Sequence, residues 1–248
     1  MSVDLLWASE NTKNDINKSN KRKMISETTT SKKSKKEKTA EESDSDNELE
    51  NNICGSQHNI YSEDNDIYFA AGITQSTIIK LKKEVTTVVN KIINNANDLR
   101  KQNYQVTYPP VVVHIWSNGG SIFAAFNFID FLTQMKLKYG GLKFHSVIEG
   151  NAASAATLIS VVFDKRYITE YGYMLIHELS SITWGKYSAI KDDMENLDKL
   201  MERIKNIYGM YCDIPDKELD NILSHDKWWD AETCVKYELV DKIIKLED

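Results

Sequence analysis

Three cysteines in 248 residues are too few and too scattered for a disulfide framework. Cys54, Cys212 and Cys234 also lack metal-ligand spacing, so no zinc site is suggested and reduced, structural thiols are expected. No uninterrupted apolar stretch reaches the roughly 18 residues that a bilayer-spanning helix needs. The opening residues, Met1 to Glu10, have no basic segment and too short an apolar run for a secretory signal. The expectation is a soluble, cytoplasmic chain with no membrane contact. Neither G-x-x-x-x-G-K-[ST] nor G-x-G-x-x-G follows the strand-like run that ends in Gly119-Gly120, which argues against a phosphate-binding loop there.

Charge is plentiful but unevenly placed. The formal net charge is −6, yet Lys13, Lys18, Lys21, Arg22, Lys23, Lys32, Lys33, Lys35, Lys36 and Lys38 precede a block of Glu41, Glu42, Asp44, Asp46, Glu48 and Glu50. Such blocks, rich in Ser, Thr and Asn, cannot bury enough apolar surface to offset the entropy of ordering. Residues 1–58 are therefore expected to be a disordered charged tail and residues 59–248 a single folded domain. The 41% hydrophobic composition suffices for one core. Lys21-Arg22-Lys23 and Lys32-Lys33-Ser34-Lys35-Lys36 fit a nuclear-import signal or a nucleic-acid contact, and equally a solvated or removable extension.

Beyond the tail, strand and helix patterns alternate. Asp66 to Ile73 reads as a first strand. Thr74 is a plausible N-cap for a helix with apolar residues at Ile78, Leu81, Val85, Val88, Ile92, Ala96 and Leu99. Val111 to Trp116 suits a buried parallel strand, and Ser117-Asn118-Gly119-Gly120-Ser121 leads from it into a helix starting at Ile122. Phe144 to Ile148 is a further strand, and Trp184 to Tyr211 a long helix whose length exceeds what one sheet needs for cover. Alternation of this kind predicts an α/β unit with a mainly parallel sheet, its chemistry collected at the carboxyl ends of the strands.

Three places carry candidate chemistry. Gly150-Asn151-Ala152-Ala153-Ser154-Ala155-Ala156 sets one hydroxyl among very small side chains at a helix start, where free N–H groups face any oxyanion forming there. By itself the segment serves close helix packing equally well. Met174-Leu175-Ile176-His177 ends an apolar run on an imidazole, and His225-Asp226 places an acid ahead of a late helix. Serine, histidine and aspartate in this chain order differ from the best-known triads, but the chemistry is indifferent to order. His225 is a rival base, whereas His114 and His145 lie inside apolar strands and read as structural.

Ser117-Asn118-Gly119-Gly120, Gly150-Asn151-Ala152-Ala153-Ser154-Ala155, Met174-Leu175-Ile176-His177, and His225-Asp226 with Tyr237-Glu238-Leu239-Val240-Asp241 together resemble, in the same order, the signatures of the Clp protease proteolytic subunit (ClpP-like) family. The segments Ala152-Ala153-Ser154-Ala155-Ala156-Thr157-Leu158 and Trp228-Trp229-Asp230-Ala231 look closest to versions encoded by large DNA viruses and T4-like phages, for which a nuclear or virion location is also expected.

The resemblance implies a ClpP/crotonase-like α/β fold, a protruding handle helix from Trp184, and assembly into heptameric rings that stack. It implies a serine endopeptidase acting on protein or peptide substrates without metal or cofactor, either a ring protease working with an unfoldase or a viral protease trimming capsid or scaffold proteins: Ser154 as nucleophile, His177 as general base and Asp226 as its orienting acid. The backbone N–H groups of Gly119 and Ala155 would form the oxyanion hole. Asn118 stands where the family has proline, which is expected to loosen the turn; Glu178 where glutamine is commoner; Glu238 where glycine is usual, with a different helix ending expected. The charged tail in place of the family's short amino-terminal segment puts a Clp-type ATPase partner in question. Two rival readings remain: a catalytically silent ring subunit, and a crotonase-type acyl-CoA enzyme using Glu149 or Glu178 as acid/base.

Overall fold

A computed structural model of the chain describes residues 59–245, so the expectations for residues 1–58 lie outside the described residues. Eight strands form one sheet: β1 (Asn59–Glu63), β2 (Asp66–Ala70), β3 (Val111–Ser117), β4 (Phe144–Ala153), β5 (Lys165–Thr169), β6 (Tyr173–Leu175), β7 (Trp228–Trp229) and β8 (Lys242–Ile244). The helices are α1 (Gln75–Lys101), α2 (Ile122–Lys138), α3 (Ala155–Val161), α4 (Tyr187–Tyr211), α5 (Asp216–Leu223) and α6 (Ala231–Lys236).

The main path runs β1-β2-β3-β4-β5-β8, parallel from β2 onward, with β1 antiparallel at the edge. β4 is the longest strand and has two partners on one side. Its first half pairs with β5 and its second half with β6, and β7 then adds antiparallel to β6.

Alternation along β3 explains the layering. Val111, Val113, Ile115 and Ser117 are buried under helices, while Val112, His114 and Trp116 lie on the opposite, more open face. α1 covers the buried face because Ile78, Leu81, Val85, Val88, Val89, Ile92 and Ala96 share one stripe. Thr74 caps this helix as its sequence predicts: its hydroxyl accepts the Thr77 N–H, and the Thr77 hydroxyl accepts the Thr74 N–H in return. Leu99, assigned to the apolar stripe by spacing, is exposed at 43% because the helix outruns the sheet there.

Three boundaries depart from expectation. A strand precedes Asp66, since Asn59–Glu63 pairs with it through a turn at Asp64, which takes φ 50°. The strand beginning at Phe144 runs on through Gly150 to Ala153 because β6 supplies pairing for Asn151, Ala152 and Ala153. The long helix begins at Tyr187, not Trp184, because Gly185 adopts φ 149°. Only its far end is buried, at Ile204, Ile207 and Tyr208; the end carrying Tyr187 and Met194 projects from the body. Among the described residues no helix is long and apolar enough to cross a membrane.

Candidate active site

Three parallel strands end side by side, and the candidate side chains leave from those ends. β3 gives way at Ser117 to Asn118-Gly119-Gly120, β4 at Ala153 to Ser154, and β6 at Leu175 to Ile176-His177. The pairings Ser117↔Ala152 and Ala153↔Leu175 hold these ends level.

Ser154 occupies φ 61°, ψ −131°, a conformation that costs a non-glycine residue roughly 1–3 kcal/mol and persists only where the surroundings impose it. They do so through both of its peptide groups. The Ser154 N–H donates to the Leu175 carbonyl at 2.8 Å, and the Ser154 carbonyl accepts from the Thr157 N–H at 3.0 Å and the Thr157 hydroxyl at 2.6 Å. Because that hydroxyl spends its proton on the carbonyl, the Tyr208 phenol is the donor in the 2.6 Å contact between Tyr208 and Thr157. α4 thereby braces the turn that presents the serine. Tyr208 is fully buried, which pushes its phenol far above the usual range and keeps it a neutral donor. Tyr208→Phe should lower stability by about 1–2 kcal/mol by orphaning a buried acceptor, seen as a lower urea midpoint at unchanged slope.

The Ser154 hydroxyl itself is buried, at 2% exposure, and has no hydrogen-bond partner among the described residues. Buried polar atoms are almost always paired, so an orphan at a strained position marks a place where something other than stability set the residue.

Gly119 closes over this serine. It takes φ 90°, and a Cβ there would lie 2.6 Å from both the Ala153 carbonyl oxygen and Ser154 Cβ. The loop is stapled on its other side by Ile73, whose N–H donates to the Gly119 carbonyl and whose carbonyl accepts the Ser121 N–H, both at 2.7 Å. The Gly119 N–H donates to the Ser117 hydroxyl at 3.2 Å, a contact the sequence does not foreshadow. Ala155 is the first residue of α3, so its N–H lies among those with no acceptor inside the helix.

His177 and Asp226 meet because of sheet register. β6 and β7 pair antiparallel, with Leu175 opposite Trp228 and Met174 opposite Trp229. Continuing that register two residues past Leu175 and two before Trp228 sets His177 opposite Asp226, and His177 Nδ1 lies 3.0 Å from Asp226 Oδ1. His177 is 7% exposed, and burial lowers its pKa, the pull of Asp226 opposing but not overcoming this. The ring is therefore held neutral at neutral pH. His225 is exposed, and it is His177 that contacts the acid.

The remaining candidates lie elsewhere. His114, expected to be a structural residue within an apolar strand, lies in β3 and has its partners in a polar cluster on the open sheet face. Its ring is 2.7 Å from Glu149, 3.3 Å from Asp66 and stacked on Tyr68 at 4.6 Å. Glu149 is thus engaged away from Ser154. Glu178 is exposed, its N–H donating to Leu223. His145 packs edge-on against Tyr167, and burial lowers its pKa.

Asn118 does not loosen its turn, since its side chain accepts from Asn151 at 2.7 Å and Asn151 accepts from the Trp116 indole at 2.9 Å. Glu238 adopts φ 53°, the left-handed conformation glycine would take, so the end of α6 keeps the usual closure, with the Leu239 N–H on the Cys234 carbonyl. Among the described residues no group of three His, Cys, Asp or Glu side chains is placed to hold a metal ion.

A family model for Clp protease matches residues 62–247, all of the described fold but its first three residues. The chain belongs to the Clp protease family. Its α/β architecture, a mainly parallel sheet flanked by helices with a long projecting one, is the ClpP/crotonase-like class that the motifs imply. Among curated proteins, the ATP-dependent Clp protease proteolytic subunit 2 of Pseudomonas aeruginosa is 28% identical over 143 residues, covering 56% of this chain and 67% of that protein.

Proposed function

We propose that this Clp protease family member is a serine endopeptidase that cleaves peptide bonds through an acyl-enzyme. Ser154 attacks the scissile carbonyl, His177 takes its proton and returns it to the leaving amine, and Asp226 fixes the imidazole tautomer and stabilises its charged form. The Gly119 and Ala155 N–H groups receive the developing oxyanion, which requires Gly119 to exchange the Ser117 hydroxyl for substrate. The observation that carries this reading is the orphaned, buried hydroxyl of Ser154 on a strained turn between Gly119 and the β6 end that bears His177. A fluorophosphonate probe tests it: labelling of the wild type and none of Ser154→Ala is expected.

Family membership and the projecting half of α4 support assembly into homo-oligomeric rings acting on protein or peptide substrates. The Pseudomonas relative is named ATP-dependent, and a Clp-type ATPase partner is proposed on that likeness. One observation favours the silent-subunit reading: the Ser154 hydroxyl is not hydrogen-bonded to His177 in this structure. Unliganded sites commonly show loose catalytic contacts that tighten on binding substrate, so the active reading stands first. Failure of an assembled, folded sample to label would reverse that order. The acyl-CoA reading is disfavoured by the engagement of Glu149 with His114.

The lowered pKa of His177 gives a pH dependence with a definite sign. The base works unprotonated, so kcat/KM should hold from neutral pH down past the free-histidine value of about 6.5 before falling. An acid limb centred above that value would contradict the assignment. Stability follows the same direction: the unfolded imidazole takes up a proton that the folded one resists. This contribution is therefore full above about 6.5 and is lost as pH drops through the folded value.

A further inference from the structure

The Ala155 N–H, one of the two proposed oxyanion donors, belongs to the same peptide group as the Ser154 carbonyl. A trans peptide is planar and points its N–H and C=O in opposite directions, so whatever holds that carbonyl also aims that amide. The carbonyl takes the Thr157 N–H at 3.0 Å and the Thr157 hydroxyl at 2.6 Å, and the Tyr208 phenol donates to that hydroxyl at 2.6 Å. Thr157 and Tyr208 are fully buried, which shields these bonds from bulk water and strengthens them.

The orientation of this peptide needs holding. At the Ser154 φ of 61°, the allowed left-handed well lies at ψ of about +30 to +60°, whereas Ser154 sits at ψ −131°. That ψ is the rotation of the plane carrying the Ala155 N–H, so the serine's own backbone preference would turn the amide away from where it stands. Two donors converging on one oxygen resist the turn. They also draw charge along the shared peptide, which makes the Ala155 N–H a stronger donor. A threonine hydroxyl is a rotor with one proton to give. Tyr208, fixed beside Ile204 and Ile207 at the buried end of α4, occupies its oxygen from behind and leaves that proton for Ser154.

Resting on the peptidase reading above, we infer that Thr157 and Tyr208 are positioning residues that lock the Ser154–Ala155 peptide with its amide aimed at the oxyanion. Thr157 acts through the shared peptide, and Tyr208 through Thr157. The lock serves the tetrahedral species, whose charge falls on the amide, and not the binding of substrate.

The test uses full-length wild type, Thr157→Val, Thr157→Ser, Tyr208→Phe and the Thr157→Val/Tyr208→Phe double variant on one fluorogenic peptide, with rates referred to the fraction that a fluorophosphonate labels at completion. Thr157→Val keeps the side-chain shape without the hydroxyl, and its kcat should fall about 10²-fold, the cost of a misaimed group, with KM within about twofold. Thr157→Ser returns the hydroxyl and should recover most of that loss. Tyr208→Phe should lower kcat about fivefold, the worth of one hydrogen bond. The double variant should be no slower than Thr157→Val alone, since Tyr208 works only through the missing hydroxyl. The inhibition constant of a peptide boronic acid, whose tetrahedral adduct puts an oxygen in the same hole, should rise in step with the loss of kcat/KM. The acid limb of the pH profile should stay in place, because His177 and Asp226 are untouched.

A merely structural role would lower the labelled fraction and leave kcat per labelled site unchanged, which overturns the inference. So does a double variant whose loss multiplies the two single losses, or an acid limb that moves with them. The double variant leaves no phenol without a partner and carries the same kcat comparison if Thr157→Val alone does not fold. In each of these outcomes a labelled wild type leaves the peptidase reading intact. A wild type that neither labels nor cleaves overturns that reading, and this inference with it.

Discussion

Ser154→Ala should abolish fluorophosphonate labelling and lower peptide turnover by about 10⁴–10⁶-fold, while the variant melts at the same temperature as the wild type or higher. The first half is the usual cost of losing a nucleophile. The second half is particular to this site. Most buried serines are paired, and truncating them leaves an orphan behind; here the hydroxyl is already the orphan, so alanine removes a burden that is worth about 1–3 kcal/mol in buried sites. For a domain of this size each kcal/mol moves the melting temperature by about 2–4 °C. Ser154→Gly separates the backbone contribution. It relieves a left-handed conformation worth about 1–2 kcal/mol against about 0.5–1 kcal/mol of added unfolded-state entropy, so it should melt no lower than the alanine variant. Calorimetry and labelling on the same three proteins decide the matter. Residual labelling in Ser154→Ala would place the nucleophile elsewhere, and a fall in melting temperature would mean that the hydroxyl is satisfied in solution.

This pairing of strain with function also explains what the sequence could and could not disclose. The helix from Thr74 is legible because capping box, apolar stripe and charged face all agree, and the structure has each of them. The valine run before Gly119 is legible as a buried strand because neither of its neighbours leaves it an edge. Local rules fail where pairing is decided at a distance. Asn59–Glu63 alternates between half-buried and exposed residues with no apolar face of its own, and only β2 makes it a strand. β6 and β7 are three and two residues long, too short to show any period, yet their register is what sets His177 against Asp226. Motif resemblance supplied that pair where periodicity could not. Neither route pointed to Tyr208, whose phenol reaches Thr157 from the far end of α4, because a buried hydrogen bond between distant helices leaves no trace in either segment. His114 is read as structural, but its bonding partners are not legible. Its flanking valines and isoleucine are buried, but alternation turns the imidazole itself to the open face and to two carboxylates.

Gly119→Ala should be among the most damaging single-methyl changes at the site. Its φ of 90° is open to glycine and costs other residues roughly 1–3 kcal/mol before any contact is considered. The new Cβ would then stand 2.6 Å from the Ala153 carbonyl oxygen and from Ser154 Cβ, and 3.0 Å from Ser154 Oγ. None of these neighbours is the free end of a flexible chain. Ala153 is held in β4 by its pairing with Leu175, and Ser154 by the bonds of both its peptide groups. The loop must therefore lift away from the serine, carrying the Gly119 N–H out of reach of an oxyanion on Ser154. Loss of one such donor costs on the order of 10²–10³ in rate, so kcat should fall at least that far even in the fraction that folds. Gly72→Ala is the matched control. Gly72 touches the same loop, but its Cβ would meet the Gly119 carbonyl at 3.6 Å, an ordinary contact, and its φ is not in the left-handed range. It should change stability by no more than about 0.5 kcal/mol, as surface-type substitutions do, and leave labelling intact. If the two alanines behave alike in labelling and melting, close approach at Gly119 is not what shapes the site, and the second oxyanion donor must be sought at another amide.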